Sequence, residues 1–305
     1  MNNKPLVSII IPTYKSSNTL KRAVISVLNQ TYKNIEVIVV DDNNPDTEHR
    51  TKTEAVMKEF EKNSRVKYIK HERNKNGAAA RNTGFRHSKG EYICFLDDDD
   101  VFLEKKVEKQ VEFLQENGQF DGVYTWRYQH GNVISYDKSG DLSEEILSLA
   151  FTPYTSSIMI KRECYDFLNG FDESYKRHQD FEFLLRFFQH FSLGVIKEPL
   201  VEIKGNDVDN RLHGKEMELL KDQFLSQFEP FIQSIDQKKK GFKIHVYAMH
   251  YSDVFWDYLI RKEFKNAFQL FSKYTKICGL VFWKAIFSTF VKKVRIKIAM
   301  LLGKK

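Results

Sequence analysis

Six mostly apolar residues, Glu91 to Leu96, run straight into four carboxylates, Asp97, Asp98, Asp99 and Asp100. Four adjacent carboxylates repel one another. A hard divalent cation such as Mg²⁺ or Mn²⁺ relieves that repulsion, because it prefers oxygen ligands and commonly takes substrate phosphates as well. A second loaded stretch is Gln179-Asp180, which opens a run with Phe183, Leu184, Phe187 and Phe188 at helical spacing. A carboxylate at a helix N-terminus is held ionised by the dipole. Such a group suits a general base directed at a hydroxyl.

The elements that must position these groups follow from hydrophobic period. Val7 to Ile11, Ile35 to Val40, Val66 to Ile69 and Tyr92 to Leu96 are short apolar runs that read as buried strands. Pro12 is expected to stop the first. Between them lie helical patterns, from Thr19 to Gln30, around Thr47 to Lys62 and from Gly77 to His87. Alternation of this kind predicts a mainly parallel sheet covered by helices on both faces. Ligands in such sheets sit beyond the carboxyl ends of the strands. The loop after Ile11, the pair Asp41-Asp42 and the cluster Asp97 to Asp100 should therefore share one crevice. No GxGxxG follows the first strand and no GxxxxGK is present, so phosphates must be neutralised by a metal.

Further on, Leu103 to Asn117 reads as a helix, and Gly122 to Trp126 and Ser156 to Ile160 read as strands. Leu200 to Lys204 is expected to be an edge strand. It leads into a polar segment in which Lys204, Arg211 or His213 is expected to close over a diphosphate. From Gly214 the pattern is helical, with a break at Lys238 to Gly241. The predicted organisation is residues 1–214 as one domain and 215–305 as a helical C-terminal region.

The 305 residues carry a net charge of +7, unevenly placed. From Phe264 onward there are ten Lys and Arg and no Asp or Glu, which leaves the preceding residues at −3. Aromatic and aliphatic residues are interleaved with these cations, and Lys284, Lys292 and Lys293 interrupt any run long enough to span a bilayer. An amphipathic helix lying on anionic lipid fits this composition, and so does a helix of the C-terminal bundle. No nucleic-acid module accompanies the charge, so nucleic acid is not expected as a partner. The three cysteines, Cys94, Cys164 and Cys278, form no CxxC pair and point to a reducing compartment. With no signal peptide read at the start, a cytoplasmic protein, peripheral at the membrane, is expected.

Several motifs in order resemble the successive signatures of family 2 glycosyltransferases with the GT-A fold. They are Val7 to Tyr14, Ser26 to Tyr32, Val39 to Asp42, Asn76 to Gly84, Gly90 to Tyr92 and Phe95 to Asp100. The resemblance implies an α/β GT-A fold, with a mixed, mainly parallel sheet and a C-terminal helical extension. It implies that Pro12, Thr13 and Tyr14 line a nucleoside pocket, with Asp42 accepting from a uridine-type base and Arg81 facing the nucleotide. Asp97 and Asp99 match the DxD pattern, Asp99 as the direct metal ligand and Asp98 as a spacer near the nucleotide. Gln179 and Asp180 match the acceptor-side acidic motif. Asp180 is then the catalytic base, with Asp172 and His178 lining the acceptor pocket. The expected activity is inverting transfer from a UDP-sugar to a glycan or lipid-linked hydroxyl, in cell-surface polysaccharide synthesis. Two other readings remain open. One is a haloacid-dehalogenase-like phosphatase with Asp97 as nucleophile, and the other is a non-catalytic, membrane-associated binding module.

Overall fold

The computed structural model describes residues 4–205 and 212–302, with side chains described as far as residue 294. Its first half alternates strand and helix: β1 (Val7–Thr13), α1 (Ser17–Leu28), β2 (Ile35–Asp41), α2 (Glu48–Lys58), β3 (Val66–Lys70), α3 (Gly77–Arg86) and β4 (Tyr92–Phe95). β1 pairs in parallel with β2 and with β4, and β2 pairs in parallel with β3. The helices form because each has an apolar stripe to bury. In α1 that stripe is Leu20, Ala23, Val24 and Val27. In α3 the buried residues are small, Ala78, Ala79, Ala80 and Gly84 among them, because the helix lies hard against β1. A Cβ on Gly84 would stand 2.3 Å from Ile10 Cγ2.

β1 runs on through Pro12 to Thr13, two residues beyond the expected stop. Its pairing with β4 has ended by then, since Leu96 N–H already closes on the Ile10 carbonyl at 3.0 Å. Asp42 N–H still donates to the Thr13 carbonyl at 2.9 Å on the β2 side. Pro12 lacks a donor only where none is needed. The exit of α1 is structural too: the buried Gln30 amide accepts from Val107 N–H at 3.0 Å and donates to the Leu103 carbonyl at 2.9 Å.

After the carboxylate cluster come β5 (Val101–Phe102), α4 (Lys106–Glu116), β6 (Gly122–Gln129), β7 (Asn132–Ile134), α5 (Ser143–Leu147), β8 (Ile158–Lys161), α6 (Arg162–Phe167), α7 (Gln179–Phe188) and β9 (Leu193–Ile203). The sheet order is β3-β2-β1-β4-β8-β6-β9-β5, with β7 on β6. β4 and β6 pair antiparallel with β8, and β9 is parallel to β6. The stretch Leu200 to Lys204 is not an edge strand. It ends β9, which is covered on its outer side by the two-residue strand β5, Val101 opposite Glu202. That short pairing brings the end of β9 back to the carboxylate cluster.

The chain sorts into two compact units, Met1–Ser143 with Pro153–Gly205, and Glu144–Thr152 with Asn206–Lys305. Relative to the expected boundary at 214, the segment Glu144–Thr152, which holds most of α5, belongs with the second unit. Its Leu147 carbonyl accepts from the buried His250 ring at 3.0 Å. That unit contains α8 (Gly214–Gln227), α9 (Glu229–Lys238), α10 (Phe242–Ile260), α11 (Phe264–Cys278) and α12 (Leu280–Leu302), around Phe224, Val246, Tyr251, Tyr258 and Phe282. No helix among the described residues is long and apolar enough to cross a membrane.

Candidate active site

The four carboxylates at the end of β4 split into two pairs. Asp98 and Asp100 turn inward and are buried, whereas Asp97 and Asp99 are partly exposed. Asp98 accepts from Tyr14 N–H at 3.3 Å, which ties the loop after β1 to the cluster. Burial, reinforced by the charges of Asp99 and Asp97, pushes Asp98 up to about 8. Asp100 is also raised, first by burial and then by Asp97, although Ser156 Oγ donates to it at 2.7 Å and Lys204 N–H at 3.1 Å. The backbone carbonyl of Asp99 accepts from Arg22 at 2.6 Å. Gly205 lies so near that a Cβ there would meet Asp99 Oδ2 at 2.2 Å.

Asp41 and Asp42 close β2. Asp41 is fully buried and accepts from Asn43 N–H and from the Tyr68 hydroxyl, at 2.9 and 2.5 Å, with Arg50 Nε at 3.2 Å. Its work is to hold the fold. Asp42 Oδ1 accepts from His71 Nδ1 at 2.7 Å and Lys75 N–H at 2.8 Å. Its Oδ2 accepts from Asn74 Nδ2 at 2.8 Å and Asn76 N–H at 3.0 Å. With two donors on each oxygen, the carboxylate holds the loop before α3, and a nucleobase donor must displace one of them.

The motif from Asn76 to Gly84 is a set of anchors. Asn76, at φ 123°, caps α3 by accepting from Ala79 N–H at 3.0 Å and donates to the Glu173 carbonyl at 2.8 Å. Asn82 donates to the Phe171 carbonyl and the Glu173 carboxylate, both at 2.9 Å, and accepts from the Tyr165 hydroxyl at 2.8 Å. These bonds fasten the segment leading into α7. Between the anchors stands Arg81. Its Nη2 donates to Asp97 Oδ1 at 2.5 Å and its Nη1 to Gln179 Oε1 at 2.9 Å. Its Nε is buried without a hydrogen-bond partner.

Asp180 is the second residue of α7 and accepts from Phe181 N–H at 3.0 Å. Burial works against the helix N-terminus here and lifts the carboxyl to about 6, opposed by the Phe181 N–H and the Arg81 cation, so it stays ionised at neutral pH. The apolar surroundings explain this. Asp180 borders a cavity of about 20 Å³ lined also by Ile93, Phe95, Phe171 and Phe183, room for about one water. The charge of Asp97 also acts on it. The strand-end cluster and Asp180 therefore belong to one electrostatic system within the first unit.

The remaining expected residues have more local work. Gln179 donates its amide N–H to the Tyr175 carbonyl at 2.9 Å while accepting from Arg81, so its side chain positions others. Asp172 accepts from Ser174 N–H at 2.8 Å and closes a turn. His178 precedes α7 with a left-handed backbone, φ 60°, and stacks on Phe181 with ring centroids 4.9 Å apart. Lys204 meets Asp100 through its backbone, and its ammonium pairs with Glu202 at 3.1 Å. Arg211 lies outside the described residues. His213 pairs at 2.8 Å with Asp257 of its own unit. Sequence reasoning missed His71, which holds Asp42, and Ser156, which holds Asp100 of the cluster. Neither sits in a pattern that marks it.

Among the described residues no three His, Cys, Asp or Glu side chains converge on one point as a ready cation cage. The donor set still fits a Mg²⁺-type ion, which takes one or two carboxylates and completes its shell with phosphate oxygens and water. Asp97 is paired with Arg81, and Asp99 is partly exposed at the same strand end.

The family description Glycosyl transferase family 2 matches residues 8–169. An uncharacterized glycosyltransferase of Methanocaldococcus jannaschii, MJ1057, is 32% identical over 220 residues, covering 69% of this chain and 74% of its own. The amylovoran biosynthesis glycosyltransferase AmsB of Erwinia amylovora is 32% identical over 207 residues, 63% of this chain and 67% of its own. The crystal structure of S. aureus TarS 1-349 in complex with UDP-GlcNAc superposes with a TM-score of 0.60 at 16% identity, over 89% of this chain and 92% of that one. That likeness carries the GT-A fold. A phosphatase with Asp97 as nucleophile no longer fits, since Asp97 is paired with Arg81 and its strand follows three others in the sheet. The chain belongs to glycosyl transferase family 2.

Proposed function

We propose that the chain is an inverting glycosyltransferase that moves a sugar from a UDP-sugar to a hydroxyl of a glycan or lipid-linked acceptor, in cell-surface polysaccharide synthesis. One observation carries the reading: Arg81 bonds at once to Asp97 of the DxD cluster and to Gln179, the neighbour of Asp180. In this reading that guanidinium keeps donor chemistry and base chemistry side by side. The UDP-GlcNAc complex of TarS supports the choice of donor, and the name of AmsB supports the choice of pathway.

In this reading Pro12, Thr13 and Tyr14 receive the nucleoside, while Asp42, on giving up one of its loop donors, accepts from the base. Asp99 would hold Mg²⁺ or Mn²⁺, which when bound would neutralise charge on the diphosphate. Arg81 keeps Asp97 in place and offers its buried Nε to the nucleotide. Asp180 takes the proton of the acceptor hydroxyl as that oxygen attacks the anomeric carbon, and the bond to the diphosphate breaks with its electron pair leaving on UDP. One in-line displacement inverts the configuration. A carboxyl near 6 is ionised at neutral pH yet more basic than an ordinary aspartate, which suits the task. Asp172 and His178 border the acceptor side. The reaction is placed at the cytoplasmic face of a membrane, with the chain peripheral to it.

The test is a screen of nucleotide sugars for thermal stabilisation with and without Mn²⁺, since a ligand that binds only the native state raises the melting temperature. A UDP-sugar that stabilises only with the cation present supports the reading. No shift with any nucleotide sugar contradicts it.

A further inference from the structure

The second unit carries a row of large apolar side chains that face solvent. On α12, Leu280 is 77% exposed and Phe287 69%, and Trp283, Phe290 and Val294 are exposed as well. Their spacing of three and four residues puts them on one stripe of the helix. The other side of α12 is accounted for: Phe282, Ala285 and Thr289 are buried, and Trp256 Nε1 of α10 donates to the Ile286 carbonyl at 2.9 Å. On α11, Phe264 and Phe268 are exposed too, Phe268 at 72%. Exposed apolar side chains of this kind on a folded unit mark a surface with a partner.

Charge identifies the partner. No acidic residue occurs from Phe264 onward, while Lys265, Lys273, Lys276, Lys284 and Lys292 belong to the same two helices. Lys293 pairs with Asp253 at 2.7 Å. Lys284 lies four residues after Leu280 and three before Phe287, on the flank of the stripe, where a long stem covers apolar surface while its ammonium reaches outward. A second copy of this chain would set two cationic rims against each other. An anionic bilayer offers both the apolar depth and the opposite charge. The helix is too interrupted by charge to cross that bilayer.

We propose that the exposed stripe of α12, with Phe264 and Phe268 of α11, seats the second unit in the plane of an anionic lipid surface. This deepens the peripheral-membrane reading above by naming the side chains that enter the lipid. It does not depend on the transfer chemistry. The test is flotation of the full chain with vesicles of phosphatidylcholine alone or of phosphatidylcholine mixed with phosphatidylglycerol. The chain is expected to float with the mixed vesicles, less with the neutral ones, and less again as salt is raised. The double variant L280S/F287S changes two solvent-exposed side chains, so it should keep the wild-type melting temperature and rate of UDP release. Its partition onto mixed vesicles should fall at least about tenfold. Failure of the wild type to float with mixed vesicles overturns the proposal, as does equal flotation of the variant. A lipid-free wild-type dimer that L280S/F287S converts to monomer also overturns it, since the face would then belong to a second copy.

Discussion

Arg81 stands 2.5 Å from Asp97 Oδ1, and its other terminal nitrogen donates to Gln179 at 2.9 Å, so one guanidinium spans a strand-end cluster and a helix start that are far apart in sequence. Two consequences follow for a variant. Arg81→Ala leaves Asp97 unpaired beside two buried carboxylates, and it removes a cation that holds the Asp180 carboxyl down. Transfer should fall by about 100-fold, the scale of misplaced groups around a reacting centre. The acid limb of the pH–rate profile should also move to higher pH, which a purely structural loss would not cause. Arg81→Lys should restore part of the rate, because a single ammonium reaches only one partner at a time.

The cluster also predicts how stability depends on pH. Burial puts Asp98 at about 8 in the folded protein, against an ordinary 3.8. Between those values the folded state holds a proton that the unfolded chain has released, so stability falls as pH rises through this window and levels off above it. Asp98→Asn should flatten the slope and raise stability at pH 8 by on the order of 1–3 kcal/mol. Thermal melts from pH 5 to pH 8 without divalent cation are the check.

Gly205 is where the end of β9 comes against Asp99. Gly205→Ala would place a methyl 2.2 Å from Asp99 Oδ2, and the carboxylate must swing aside. Cation-dependent stabilisation by the donor should weaken about tenfold or more, while the melting temperature without ligand changes little. Asp99→Asn should abolish the cation dependence. Titrating Mn²⁺ at fixed UDP-sugar and following the melting temperature measures both.

Much of this was legible in the sequence because the strands are apolar runs and the helices have clean stripes. The parallel half of the sheet follows from that pattern, and with it the gathering of Thr13, Asp42 and Asp97 at one end. What escaped depends on conformation. The four donors on Asp42 come from a loop whose Asn76 sits at φ 123°, and nothing in the residue types announces that turn. Ser156 serves Asp100 across 56 residues. The apolar walls that lift Asp180 belong to β4, β8 and α7, which meet only once the antiparallel part of the sheet has formed. The inner place of β9 was hidden for a similar reason, since a two-residue strand such as β5 has no sequence signature.

The most direct measurement compares UDP release and donor binding for wild type and Asp180→Asn, using whichever UDP-sugar raises the melting temperature. If Asp180 is the base, the variant keeps the wild-type thermal shift with cation and donor but releases UDP about 1,000-fold more slowly. Wild-type release should in addition decline as pH falls through about 6, where the base becomes protonated. An Asp180→Asn protein that turns over at the wild-type rate would contradict the account.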